Sequence, residues 1–346
     1  MKRFARVLAL MVLASAPALA QVDQVAAVDN ALAVYASSAS SVRLADGRSI
    51  HFVCMGHGSP TVILTAGLGD WAASWSAVQP TIARTTRACA WDRPGFGLSD
   101  ATTESQNVAT TTADLEAALK RGRIIGPYVM VGHSLGSFES LLFTDRHRSE
   151  VVGMVLVDPS VPDQAAMILR VAPAVAASSD AYTAGLVALI RKCAAELRSP
   201  QARGASTSPD CELPFSPTYP PQLIRLLRAE AAKPAQGEAV ASFYQNVGLS
   251  GVQAINPARN YGNMPLIVLT APEAQPPRPG TSSEVVSQTS VFLEAIGREH
   301  DGVAALSTRG INARVPGSSH YIQQIKPQVV IDAIDAVVAE ARASKR

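Results

Sequence analysis

Aromatic residues make up only 5% of this chain and charged residues only 17%. The first scarcity leaves no stacking platform for nucleic-acid bases. Low charge beside 47% apolar content excludes a disordered or collagen-like chain. Charge of one sign is missing too. The formal net charge is +2 over 346 residues, and removing Lys2, Arg3 and Arg6 with an expected leader takes it to −1. Nothing in that balance calls for a polyanionic partner, and no nucleic acid is expected. The four cysteines include no C-x-x-C pair, which argues against zinc or thioredoxin-type chemistry. Beyond the first twenty residues no stretch reads as apolar and long enough to span a bilayer, so no stable membrane insertion is expected.

The amino terminus carries the one targeting signal. Met1 to Arg6 is cationic, Val7 to Leu13 is apolar, and Ala18-Leu19-Ala20 supplies small residues for signal peptidase. The pattern predicts a signal peptide over 1–20, cleaved near Ala20, and an exported protein, periplasmic or secreted. An oxidising compartment permits disulfides, and Cys54, Cys89, Cys193 and Cys211 allow three pairings.

Strand and helix signals then alternate. Val42–Ala45 and Ser49–Met55 flank Asp46-Gly47, a hairpin signal. Thr61–Thr65 and Arg87–Trp91 are short apolar runs, with helical spacing over Trp71–Thr85 between them. Asp114–Lys120 reads as helical. Tyr128-Val129-Met130-Val131 forms a strand running into Gly132-His133-Ser134-Leu135-Gly136 and a helix, and Val151–Val157 is a buried-type strand ending at Asp158-Pro159. This order predicts an α/β fold with a mostly parallel sheet. Residues 161–262 are Ala-rich and helical, broken by a Pro/Ser/Gly stretch over 199–220, and are expected to be a helical cap. It separates the first part of the core (21–160) from the second (263–346). Strand signals return at Leu266–Thr270 and Ile311–Val315, the Pro-rich 274–280 reads as a loop, and a last amphipathic helix covers Gln328–Ala343.

The chemistry centres on G-x-S-x-G. Placed between a strand and a helix, its serine sits on a sharp turn with the hydroxyl exposed above a helix amino terminus, which makes Ser134 the candidate nucleophile. A serine hydroxyl needs a base. Among six histidines, His51 lies in a predicted strand, His57 in a turn, and His147 and His300 in charged surroundings that read as surface; His133 is expected to point into packing. His320 follows a strand, is preceded by the loosening Gly317-Ser318-Ser319, and is followed by a helix, so it is the candidate base. The acid is either Asp158, fixed at a strand end by Pro159, or Glu273, three residues past the next strand; the shorter side chain on the more rigid site favours Asp158. The oxyanion hole is assigned to the amides of Leu135 and of Leu68 in Ala66-Gly67-Leu68-Gly69.

Together Ala66-Gly67-Leu68-Gly69, Asp92-Arg93-Pro94-Gly95-Phe96-Gly97-Leu98-Ser99, Gly132-His133-Ser134-Leu135-Gly136 and Gly317-Ser318-Ser319-His320 resemble the α/β-hydrolase superfamily, in the family's order. The resemblance spans about Val42 to Ala343. It implies an eight-stranded sheet with a helical cap after the sixth strand. It departs from the pattern in two places: Ala66 stands where a histidine often precedes the oxyanion glycine, and no aspartate ends the seventh strand. Asp158-Pro159 resembles the lipases that keep the acid on the sixth strand. Ser134 argues against the branches with aspartate at the elbow. The family's neighbouring second and fourth strands imply a Cys54–Cys89 bridge, leaving Cys193–Cys211 inside the cap.

The resulting expectation is an exported serine esterase, carboxylesterase- or lipase-like, that cleaves a small or medium uncharged acyl substrate and needs no metal or organic cofactor. Met167, Ile168 and Leu169 are cap residues that would line a pocket or fill the core. Two competing readings remain open. An amide or peptide hydrolase of aminopeptidase type would need a carboxylate in the cap, for which Glu196, Asp210, Glu212 and Glu230 are available. A non-catalytic binding protein would keep the fold alone.

Overall fold

The computed structural model describes residues 32–37, 41–199, 208–211 and 219–344. The expected leader, residues 1–20, and Glu212 lie outside them.

Eight strands form one sheet: β1 (Ser41–Arg43), β2 (Ser49–Met55), β3 (Thr61–Thr65), β4 (Ala88–Trp91), β5 (Tyr128–His133), β6 (Val151–Val157), β7 (Leu266–Thr270) and β8 (Gly310–Arg314). Their spatial order is β1-β2-β4-β3-β5-β6-β7-β8. β1 pairs antiparallel with β2 and β2 with β4; every other pairing is parallel. The helices are α1 (Gln79–Ile82), α2 (Val108–Arg121), α3 (Gly136–Arg146), α4 (Gln164–Val171), α5 (Pro173–Arg198), α6 (Pro221–Ala231), α7 (Pro234–Gln245), α8 (Val247–Gln253), α9 (Ser283–Ala304), α10 (Ile322–Ile325) and α11 (Pro327–Ala343).

The central strands are near-continuous apolar runs because helices cover both faces of the sheet. Alternation still decides which face each side chain joins. Met130, Met154 and Leu156 pack with Leu115 and Leu119 of α2 and Ile296 of α9. Val129, Val131, Val155 and Val157 pack with Val330, Ile334 and Val337 of α11. Strand order reverses at β3: the chain moves to β4 on one side of it and returns as β5 on the other. The loops at the carboxyl ends of β3 and β5 therefore diverge, and that opening is where open α/β sheets place their ligands.

Several elements differ from the expectation. Trp71–Thr85 is not one helix but a 3₁₀ turn, Ala72–Trp75, followed by α1, which restarts with Pro80 in its first turn. α2 begins six residues before Asp114, because Asn107 and Thr110 form a capping box. The sequence pattern predicts no helix between β7 and β8, where α9 is a 22-residue helix capped by Ser282.

Between β6 and β7 lie α4 to α8. Met167 is buried in the core and Ile168 packs against it, whereas Leu169 is exposed. α5 corrects the expectation that no later stretch has the length and composition of a membrane span. It runs 26 residues, with a mean hydropathy of 1.2 over its most apolar window. It packs against α7, α4 and α9. The cysteines pair as Cys54–Cys89 and Cys193–Cys211, the first between directly opposed residues of β2 and β4.

Candidate active site

Ser134 follows β5 directly, in a turn between strand and helix, with φ of +51°. A serine in the left-handed region costs roughly 1 kcal/mol, and the surroundings hold it there. Its amide donates to Val157 O (3.0 Å), and its carbonyl accepts from the amides of Ser137 (3.0 Å) and Ser160 (2.9 Å) and from Ser137 Oγ (2.7 Å). The flanking glycines permit the bend by sterics. A Cβ on Gly132 would lie 2.6 Å from Gly136 O, and one on Gly136 would lie 2.5 Å from both Thr65 O and Ala66 O.

Asp158 follows β6 in the same way, with φ of +42° and its amide on Leu269 O at 2.7 Å. Its Oδ1 accepts from the Ala271 amide (2.9 Å), and its Oδ2 lies 2.6 Å from His320 Nδ1. His320 Nε2 lies 2.9 Å from Ser134 Oγ. With Nδ1 facing a carboxylate, the proton of a neutral ring belongs on Nδ1, leaving the Nε2 lone pair for the serine hydroxyl. The His320 side chain is 36% exposed and that of Asp158 only 13%, so the ring can meet a substrate while its carboxylate partner is shielded.

The other acid candidate goes elsewhere. Glu273 is exposed, and its Oε1 accepts from the Gly317 amide at 2.6 Å. It braces the loop before His320 rather than the ring.

The remaining histidines divide by burial. His133 is buried, and its Nε2 donates to the His320 carbonyl at 3.0 Å, tying the elbow to the His320 loop. Burial and the neighbouring His320 hold its pKa well below the ordinary imidazole value. His300, read as a surface residue, is buried instead: α9 carries it under the sheet edge, where Nε2 donates to Pro159 O at 2.8 Å. His51 is buried against Asp92, with Nδ1 2.8 Å from Oδ2.

The loop after β3 completes the site. Gly67 abuts the elbow so closely that a Cβ there would lie 2.8 Å from His133 Nδ1 and 3.3 Å from Ser134 Cβ. The amides of Leu68 and Leu135 meet no protein acceptor among the described residues.

Three residues of this region carried no expectation. Arg93 and Glu139 form a buried ion pair (Nε to Oε1 2.6 Å) behind the loop. Asp70, just after the loop, has Oδ2 3.9 Å from His133 Nδ1, and neither atom has a hydrogen-bond partner among the described residues. Burial raises the Asp70 pKa to about 6, against the opposing pull of His320 and Arg93. Of the three, Arg93 alone lies in a sequence motif, Asp92–Ser99; Asp70 and Glu139 become visible when β3, β4 and β5 are laid side by side. The cap carboxylates are engaged locally: Glu196 with Ser208, Asp210 with Lys192, and Glu230 with Lys233.

Known proteins agree with this architecture. A family model described as the alpha/beta hydrolase fold matches residues 60–197. A stretch of 81 residues is 43% identical to an uncharacterized protein of Schizosaccharomyces pombe, covering 23% of this chain and 15% of that one. A second, of 112 residues, is 29% identical to a 2-hydroxy-6-oxononadienedioate/2-hydroxy-6-oxononatrienedioate hydrolase of Escherichia coli, covering 31% of this chain and 39% of that one. The chain thus spans less than half the length of these curated relatives. A thermophilic esterase from Thermogutta terrifontis superposes with a TM-score of 0.54 at 16% identity, over 87% of this chain and 98% of that one. At that identity the likeness concerns the fold.

Proposed function

We propose, from the premise that this chain belongs to the α/β-hydrolase superfamily, that it is an exported serine hydrolase. Its substrate would be a carboxylic ester with a small or medium uncharged acyl group. The observation that carries the reading is the contact chain Ser134 Oγ to His320 Nε2 to Asp158 Oδ2, at 2.9 and 2.6 Å.

In this mechanism Ser134 Oγ attacks the ester carbonyl while His320 Nε2 takes its proton. Asp158 accepts the Nδ1–H bond and stabilises the imidazolium. The Leu68 and Leu135 amides receive the developing oxyanion. Collapse expels the alcohol, which takes the proton from Nε2, and leaves an acyl-serine. Water, deprotonated by the same nitrogen, releases the carboxylic acid and restores Ser134. No metal or organic cofactor enters these steps. The two disulfides are compatible with export.

A fluorophosphonate probe, used with panels of p-nitrophenyl esters and aminoacyl amides, tests the proposal. Labelling and ester turnover should both vanish in Ser134→Ala. Preference for the amides would replace the ester reading with the amide or peptide one, and a wild-type protein that neither labels nor turns over would leave a non-catalytic fold.

A further inference from the structure

The loop that carries Leu68 is held from behind by one guanidinium. Arg93 is only 2% exposed, and its NH1 donates to Gly67 O (3.0 Å) and its NH2 to Ala66 O (2.7 Å). The guanidinium is itself fixed by Glu139 in the first turn of α3, through Nε to Oε1 (2.6 Å) and NH2 to Oε2 (3.1 Å). Glu139 also accepts from Thr111 Oγ1 at 2.9 Å. The guanidinium carbon lies over the Phe243 ring, 5.0 Å from its centroid. Arg93 thus joins the end of β4 to the loop after β3 and to α3, the helix that follows Ser134.

Gly67 O and Leu68 N belong to the same peptide. In a planar trans peptide the N–H points away from the C=O. Fixing Gly67 O on Arg93 therefore fixes the direction of the Leu68 N–H, which lies in the same plane and points away from the guanidinium. That amide is one of the two without a protein acceptor, in the loop whose inner face abuts Ser134. A cation on the carbonyl also polarises the peptide and strengthens its N–H as a donor.

We propose that Arg93 is a positioning residue for acyl transfer: it aims the Gly67–Leu68 peptide so that the Leu68 amide meets the carbonyl oxygen attacked by Ser134. The inference rests on the serine-hydrolase reading above. Glu139 serves by holding the fork of Arg93. Lysine cannot replace that fork, since one ammonium cannot reach two carbonyls and a carboxylate in the same plane.

The test uses Arg93→Lys and the double variant Arg93→Met/Glu139→Gln, which leaves no uncompensated buried charge. Wild type and variants are compared for kcat and KM on a p-nitrophenyl ester, and for the ratio of ester to thionoester turnover. Sulfur is larger and a weaker acceptor, so this ratio reports how tightly the oxyanion donors grip oxygen. Loss of one oxyanion donor costs about 10²–10³ in kcat, so both variants should lose about 10²-fold in kcat, with KM nearly constant and the ratio narrowed about tenfold. Misfolding of part of a sample would lower kcat but leave the ratio untouched. Folded variants with unchanged ratios would overturn the proposal while Ser134 labelling by fluorophosphonate still stood. Absence of labelling in the wild type would remove both.

Discussion

Ser134 and Asp158 occupy equivalent positions on adjacent strands: His133 pairs with Val157 in the β5–β6 register, and each site residue is the next one along. Both then turn left-handed, at φ of +51° and +42°. The two functional groups leave the same edge of the sheet side by side, and one imidazole spans them. Asp158→Asn should lower kcat by about 10⁴-fold, because an amide cannot hold the required tautomer or stabilise its cation. Glu273→Gln should stay near wild type, since the glutamine Oε1 can still accept from Gly317 N. Steady-state kinetics on a p-nitrophenyl ester check both, and equal activities in the two variants would defeat the assignment of the acid.

Gly136→Ala should damage the site through packing alone. The new Cβ would press on two backbone oxygens at 2.5 Å, and backbone yields less readily than a side-chain tip. Overpacking of this kind costs about 1–3 kcal/mol. It also pushes α3 away from the loop after β3, so activity should fall further than stability. Urea unfolding beside kinetics at the same temperature measures the two losses. A variant with wild-type kcat would show that the elbow tolerates the displacement.

Asp70 makes a pH-dependent contribution of opposite sign to that of a salt-bridged carboxylate. Burial raises its pKa from the ordinary carboxylate value of 3.8 to about 6. The native state then holds the proton more tightly than the unfolded chain does. Stability from this residue is complete below pH 3.8 and is lost as pH rises through 6. Asp70→Asn removes the effect, and its amide can donate toward His133 Nδ1. With 23% of the Asp70 side chain exposed, the variant should exceed wild type by on the order of 2 kcal/mol at pH 8. The gap should close toward pH 4. Urea denaturation across that range checks it, and a pH-independent difference would contradict it.

The disulfides should contribute unequally. Each restricts the unfolded chain, and the sequence separations are 35 for Cys54–Cys89 and 18 for Cys193–Cys211. On the loop-entropy account each is worth about 3–4 kcal/mol, the longer loop by some 0.6 kcal/mol more. Paired Cys→Ala substitutions, followed by urea unfolding, measure the two separately. The Cys54/Cys89 pair should cost more, and its loss should be felt across β2 and β4. Indistinguishable midpoints for the two double variants would show that loop length does not set the contribution.

Much of the candidate site's geometry was legible because local chemistry announces it. A glycine two positions before and two after Ser134, between an apolar run and a helix, can only be a tight bend. Gly317-Ser318-Ser319 marks the loop before His320 in the same way. The strands Val151–Val157 and Leu266–Thr270 were read to the residue, since both are bounded apolar runs. α9 was missed because its apolar positions are diluted by Glu284, Glu294, Arg298, Glu299 and Asp301, and the charged stretch around His300 hid a buried ring. Asp70 and Glu139 gave no signal, because their environment is made by strands distant in sequence.

The sequence by itself determined the alternation of strands and helices, the bend that projects Ser134 and the loop that delivers His320. Each follows from period, turn residues and backbone sterics within a few positions of the chain. Only the tertiary structure decided which carboxylate faces His320 Nδ1. Asp158 and Glu273 follow neighbouring strands of the same sheet, and a choice between them needs register and direction in space. Pairing between residues 162 positions apart is set by strand order and by which side of the sheet each turn leaves, and no local pattern encodes either.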